Sequence, residues 1–186
     1  MIIFENVTKQ FSSNTVIDDV SFEVKKNELV FLVGASGCGK TTLFKLITRE
    51  YSPTSGNILY HDKNIKKIPL KKLFAHRRNI GVIFQDMKLL PDRTVFENIS
   101  LSLEIRGEKS DSIKKKVHEI INLVGLTGKE NLFPRELSGG EIQRVAIARA
   151  VIGNPEVVLA DEPTADLDAS TGWEIIQLLK VISDAG

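Results

Sequence analysis

A chain of 186 residues, 42% hydrophobic and 26% charged, suits one domain large enough to bury a sizeable core. Lys and Arg total 25 against 24 Asp and Glu, so the formal net charge of +1 argues against a bulk nucleic-acid binder. One cysteine excludes an internal disulfide framework. No apolar run approaches the ~20 residues needed to cross a bilayer, and the start, Met1-Ile2-Ile3-Phe4-Glu5-Asn6, lacks the basic-then-apolar order of a signal peptide. The expectation is a soluble intracellular domain, and any membrane role must come through a partner.

In chain order, residues 2–7 and 20–24 read as short strands, the second alternating cleanly, with turn signals at Ser12-Ser13-Asn14. They predict an antiparallel flank. Next comes the apolar run Leu29-Val30-Phe31-Leu32-Val33, then Gly34-Ala35-Ser36-Gly37-Cys38-Gly39-Lys40-Thr41, then the helical pattern from Thr42 to Ile47. This is expected to be strand, loop and helix, fitting G-x-x-x-x-G-K-[ST]. The glycines let successive N–H groups converge on phosphate oxygens, and the helix adds its positive N-terminal end. Lys40 then reaches the β- and γ-phosphates, and Thr41 offers a hydroxyl to Mg²⁺, which prefers oxygen ligands. Cys38 within the loop invites a redox reading, but several small residues fit there.

The basic stretch from Lys63 to Arg78 invites contact with anionic lipid; the plainer reading is a solvated helix face. Between Asp86 and Pro134 the pattern turns helical: Ile113, Val117, Ile120, Ile121 and Val124 recur at helical spacing after Ser110-Asp111, with Gly125 at the end. Apolar residues at Leu89, Leu90, Val95 and Phe96 suggest a partner surface, with core packing as the other reading.

Ser138 stands in N-cap position before a long amphipathic helix, and Gly139 and Gly140 leave its first N–H groups sterically open. That makes a second anion site on one chain, which one γ-phosphate does not need unless the nucleotide belongs to another copy. The run Val157-Val158-Leu159-Ala160-Asp161-Glu162 reads as a parallel strand covered on both faces and ending in two carboxylates. Asp161 would hold the Mg²⁺ shell and Glu162 would polarise the attacking water. The competing reading makes this acid pair the N-terminal cluster of a following helix.

The phosphate loop, Leu137-Ser138-Gly139-Gly140-Glu141 and the acidic strand end together resemble the ATP-binding cassettes, over essentially the whole chain. The resemblance implies an α/β fold: a P-loop NTPase core with a mainly parallel sheet, an N-terminal antiparallel β flank and an inserted α-helical subdomain. It places the core and flank at about residues 1–85 and 151–186 of one domain, and the helical subdomain at about 86–150. It implies that Gln85 touches Mg²⁺ and the attacking water, and that Ala165-Asp166-Leu167-Asp168 crosses a dimer interface. Phe11 stands where the family places an aromatic on adenine; a buried strand Phe is the alternative. The nucleotide-binding set is then Phe11, Gly34 to Thr42, Ser138, Gly139, Gly140, Glu141 and Asp168, with Glu162 and Gln85 catalytic and Thr41, Gln85 and Asp161 around the metal. Two copies would sandwich ATP head to tail.

Residues 77–99, with Phe84-Gln85-Asp86 and Leu89-Leu90-Pro91-Asp92-Arg93-Thr94-Val95, resemble the bacterial cell-division branch of this family. That implies an FtsX-like integral membrane partner at the cytoplasmic face of the plasma membrane, and no nucleic acid. A lipoprotein-release or macrolide-export cassette is the near alternative and a soluble, non-transport cassette the distant one. Ile142 after the signature and Ala165-Asp166 depart from the usual residues. The family's switch histidine follows the last helix, expected here at residues 173–182 with Ser183 to Gly186 as the turn after it. His61, His76 and His118 all precede the signature, so the sequence reads as truncated at the C-terminus and weak in hydrolysis.

Overall fold

The computed structural model describes residues 2–185, which divide into two compact units: one runs to Arg77 and includes Ile182 onward, the other is Arg78–Val181. In the first, β1 (Ile2–Phe11), β2 (Asn14–Val24), β3 (Ser55–Tyr60) and β4 (Lys63–Asn64) form an antiparallel sheet in the order β2-β1-β3-β4. The expected flank is present and longer than periodicity suggested. In β1 the buried positions are Ile2, Phe4 and then Val7. Strict alternation would turn Val7 outward; a register irregularity around Asn6, whose φ is +47°, inserts the extra residue that returns it to the core face. Asn6 Nδ2 donates to Asp19 Oδ1 at 2.9 Å, tying the irregularity to β2.

Helices α1 (Lys40–Ile47) and α2 (Leu70–Arg78) belong with this sheet, and α1 buries Leu43, Leu46 and Ile47. His76 of α2 is buried, and its Nε2 donates to the Ile47 carbonyl at 2.9 Å. Arg77 Nε donates to the Thr48 carbonyl at 3.0 Å. One expectation fails here: residues 29–33 form no strand, and Phe31 and Val33 are 61% and 94% exposed. An apolar run becomes a parallel strand only when a neighbour supplies its ladder and both faces are covered. The flanking sheet pairs only β1 to β4 and offers this run neither.

In the second unit, β5 (Ile80–Ile83) and β6 (Val157–Ala160) pair in parallel, Ile80 opposite Val157 and Ile83 opposite Ala160. Around them lie α3 (Val95–Ile105), α4 (Ser110–Leu123), α5 (Gly139–Val151) and α6 (Ala169–Asp184). The expected helix after Ser110 is α4; it buries Ile113, Val117 and Ile121, and Gly125 beyond its end adopts φ +71°. These side chains pack with Ile99 and Leu103 of α3 and Val145 and Ile147 of α5, all buried, and each contributes about 1.5–3 kcal/mol through removal from water. A capping box starts α3: Thr94 Oγ1 accepts from Glu97 N while the Glu97 carboxylate accepts from Thr94 N.

Two expectations are corrected in this unit. Val95 is wholly buried and belongs to the core rather than to a partner surface, because the α3 cap points it inward; of the same group only Leu90 counts as exposed. Ser183 and Asp184 continue α6 instead of forming a turn, since nothing before them breaks the helix; Gly186 lies outside the described residues.

Candidate functional site

The first unit carries Phe11 and the glycine-rich loop. Gly37 and Gly39 have φ of +78° and +104°. Gly39 must be glycine twice over: it caps α1 in the left-handed region, and a Cβ there would lie 2.6 Å from Ile17 Cδ1. The loop therefore presses on the sheet as it turns into α1. Cys38 N donates to the Ala35 carbonyl at 3.2 Å, closing the turn, and the Cys38 thiol is exposed. Lys40 Nζ bends back over the loop, donating to the Gly34 and Ala35 carbonyls at 3.0 and 3.2 Å. No acid occupies the first turn of α1, so its positive end is not neutralised from within. Phe11 is 37% exposed at the end of β1, edge-on to Tyr51 with ring centroids 5.0 Å apart. That removes the buried-strand reading; the Lys9 ammonium lies over the ring, 4.8 Å from its centroid.

The second unit holds the other chemistry. Because Ile83 pairs with Ala160 in parallel, Gln85 and Glu162 each stand two residues beyond a paired position, at the same carboxyl end of β5 and β6. Asp161 is buried, and its N–H donates to the Ile83 carbonyl at 3.0 Å. Glu162 and Gln85 are exposed. Glu162 has φ +46°, a left-handed conformation that costs a non-glycine residue about 1–3 kcal/mol and turns the chain sharply after the strand. The acid pair does not lie at a helix N-terminus, so that alternative falls: α6 starts at Ala169.

The residue at the start of α6 is Asp168. Its Oδ1 accepts from Ser170 N and Thr171 N at 3.0 Å each, and its Oδ2 from the Thr171 hydroxyl at 2.6 Å. The Thr171 hydroxyl first, and then these backbone donors, hold its carboxyl below the usual Asp value. Ser138 caps α5, its hydroxyl accepting from Glu141 N at 3.4 Å while Glu141 Oε2 accepts from Ser138 N at 2.9 Å. Lys129 pairs with Glu141 at 2.5 Å and is the leading cause of the Glu141 carboxyl's lowered pKa. Glu141 is thus engaged in orienting the helix start.

The two glycines differ in what surrounds them. A Cβ on Gly140 would lie 2.6 Å from Thr171 Cγ2, whereas one on Gly139 would meet only Leu167 Cδ2, at 3.6 Å. Gly140 lets the start of α5 approach the start of α6. Sequence reasoning also passed over Arg149. From α5 its guanidinium donates to the carbonyls of Met87 and Lys88 at 2.6 and 2.7 Å, just after Gln85. An arginine within Val-Ala-Ile-Ala-Arg-Ala, on a helix otherwise turned toward the core, was the available signal.

Among the described residues no cluster of three or more His, Cys, Asp or Glu forms a metal site, and the histidines are dispersed: His61 exposed, His76 buried on α2 and His118 on α4. The oxygen donors singled out by sequence, the Thr41 hydroxyl, the Gln85 amide and the Asp161 carboxylate, suit Mg²⁺, which is held by one or two carboxylates together with substrate phosphates.

Backbone N–H groups at a helix start, and amide and carboxylate side chains at the carboxyl ends of parallel strands, are where P-loop nucleotide-binding proteins gather their chemistry. The ABC transporter family matches residues 17–165, and the chain belongs to that family. It is 46% identical to the cell division ATP-binding protein FtsE of Bacillus subtilis, over all of this chain and 82% of that protein. It is 43% identical to the methionine import ATP-binding protein MetN of Francisella tularensis, over 98% of this chain and 53% of that protein. A dimeric structure of an ATP-binding cassette in a post-hydrolysis state, bound to ADP and Pi, superposes with a TM-score of 0.88 at 34% identity, covering all of this chain and 84% of that one.

Proposed function

We propose that this protein is the ATP-binding and ATP-hydrolysing subunit of a membrane ABC-type complex of the cell-division kind. In this reading it works at the cytoplasmic face of the plasma membrane, where ATP-driven head-to-tail dimerisation is coupled to an FtsX-like integral membrane protein that regulates cell-wall hydrolysis. The observation that carries the enzymatic part is the placement of Gln85, Asp161 and Glu162 at one end of the β5–β6 pair. The cell-division part is supported by the names of relatives 43–46% identical over the full chain.

Each residue has a role in this scheme. The 34–42 loop and Lys40 bind the phosphates of ATP, and Phe11 stacks on adenine. Thr41, Gln85 and Asp161 hold Mg²⁺, which neutralises charge developing on the transferred phosphoryl group. Glu162 polarises the water. Ser138, Gly139, Gly140 and Glu141 close over the nucleotide of a second copy, and Asp168 lies at that interface. The γ-phosphate then bridges two chains, and its loss removes the contact that distinguishes closed from open, which is the differential interaction a switch requires.

Glu162→Gln keeps ATP binding and slows hydrolysis, so light scattering after size exclusion with saturating ATP and Mg²⁺ is expected to find a dimer. A monomer under those conditions rejects the sandwich. Likeness to a methionine importer supports a second reading, an import ATPase with a different membrane partner. Co-purification separates the two by which membrane protein is retained, and recovery of ribosomes or DNA instead would overturn both.

A further inference from the structure

Helix α2 is pinned along one side: Leu73 is half-buried, and His76 and Arg77 reach the carbonyls of Ile47 and Thr48. Beside that contact Leu70 and Phe74, one turn apart, stay 75% and 73% exposed. Lys66 and Lys67 in the turn before the helix, and Lys71 and Lys72 on it, are all exposed, and none forms an ion pair among the described residues. The sequence has no acid between Asp62 and Asp86, so nothing local compensates the charge.

A solvated face would account for the lysines alone. It does not account for an aliphatic and an aromatic side chain left in water on the same basic segment, on a helix that is fixed in place. We infer that α2 is a direct docking surface for anionic phospholipid: the lysines meet the head groups, and Leu70 and Phe74 enter the boundary between head groups and acyl chains. This goes beyond attachment through a membrane protein and does not depend on it. Nucleic acid fits less well. Leu70 has no base-stacking role, only one aromatic is offered, and the net charge of +1 supplies no extended basic field.

The test uses the purified protein and co-sedimentation with vesicles of phosphatidylcholine alone, or with about one lipid in three replaced by phosphatidylglycerol. Binding to the anionic vesicles is expected to be at least ~10-fold stronger and to weaken steeply as ionic strength rises from about 0.1 to about 1 M. Each lysine near the surface accounts for about fivefold, so joint replacement of Lys66, Lys67, Lys71 and Lys72 by Gln is expected to remove most binding. Replacement of the same four by Arg keeps it. Leu70→Ser with Phe74→Ser, charge intact, lowers it several-fold, and Phe74→Trp shifts its emission to the blue on anionic vesicles only. Circular dichroism melts confirm that these exposed substitutions leave the fold in place. Equal binding to both vesicle types overturns the inference. So does binding indifferent to Leu70→Ser and Phe74→Ser, and so does preference for single-stranded polyuridylate over anionic vesicles.

Discussion

Arg149 Nη2 donates to the Met87 carbonyl at 2.6 Å, so a side chain of α5 fixes the chain two residues after Gln85. Met87 and its neighbour Lys88 are both left-handed, with φ of +54° and +46°, an arrangement costly for two successive residues that carry side chains. The second donation, to Lys88, completes the clamp. The helix that Ser138 caps and the turn that presents Gln85 are therefore one mechanical piece within this unit. Burial pulls the Arg149 pKa down from its ordinary value, yet a guanidinium stays charged in proteins.

Arg149→Ala is expected to release that turn. Two charge-assisted hydrogen bonds are lost and the left-handed pair is left unsupported, a cost of about 2–4 kcal/mol. Thermal melting should fall accordingly, and hydrogen exchange should rise at residues 85–90. Nucleotide binding should survive while turnover drops, because the 34–42 loop is untouched. Unchanged exchange at Met87 and Lys88 would remove the clamp.

Gly140→Ala tests whether the second glycine serves packing or nucleotide. A Cβ forced against Thr171 Cγ2 should destabilise by about 1–3 kcal/mol. Thr171→Ser deletes that methyl and keeps the hydroxyl bonded to Asp168, so the double variant should regain most of the stability. If ATP-dependent dimerisation stays impaired in the restored protein, the glycine also faces the partner's nucleotide. Recovery of dimerisation assigns it to packing alone.

Much of this was legible in the sequence because it is local chemistry. Ser138 before Gly139 and Gly140 reads as a helix N-cap and is one, and the glycine-rich run ending in Gly39 reads as the turn into a helix, which α1 bears out. What escaped depends on contacts far along the chain. Residues 29–33 carry the composition of a parallel strand, but a strand exists only with a ladder partner, and composition does not name one. The Asn6 irregularity was hidden because its effect, returning Val7 to the core, looks in the sequence like a break in alternation. Arg149 was missed because its acceptors are backbone carbonyls, which leave no residue signature.

Asp168 predicts a pH dependence. Its carboxyl is held below the usual value, so the folded state favours the ionised form, and the stability it contributes is present above the unfolded pKa of about 3.9. That stability is lost as pH falls through the lower, folded value. Asp168→Asn keeps one acceptor oxygen and cannot ionise. Its melting temperature should lie below wild type by a constant margin from about pH 6 to 7, and the margin should shrink below about pH 4. A margin independent of pH would mean that geometry alone, without charge, makes the cap.

Lys40 provides the sharpest separation of folding from function. Its ammonium rests on the Gly34 and Ala35 carbonyls, both in the loop it would serve, and those bonds are solvent-exposed. Water replaces exposed hydrogen bonds of this kind when the side chain goes, so Lys40→Met should lower melting without nucleotide by no more than the few degrees that about 1 kcal/mol represents. With nucleotide the outcome changes. A ligand at about a hundred times its Kd adds about 2.7 kcal/mol to the folded state, and wild type should melt higher by the corresponding interval. In Lys40→Met the positive charge proposed to meet the β- and γ-phosphates is gone, so that increment should disappear at the same ATP and Mg²⁺ concentrations. Glu162→Gln, which alters only the acid proposed to act on water, should retain the whole increment. If Lys40→Met kept it as well, Lys40 would be a brace for the loop and the phosphates would be held by backbone N–H groups alone.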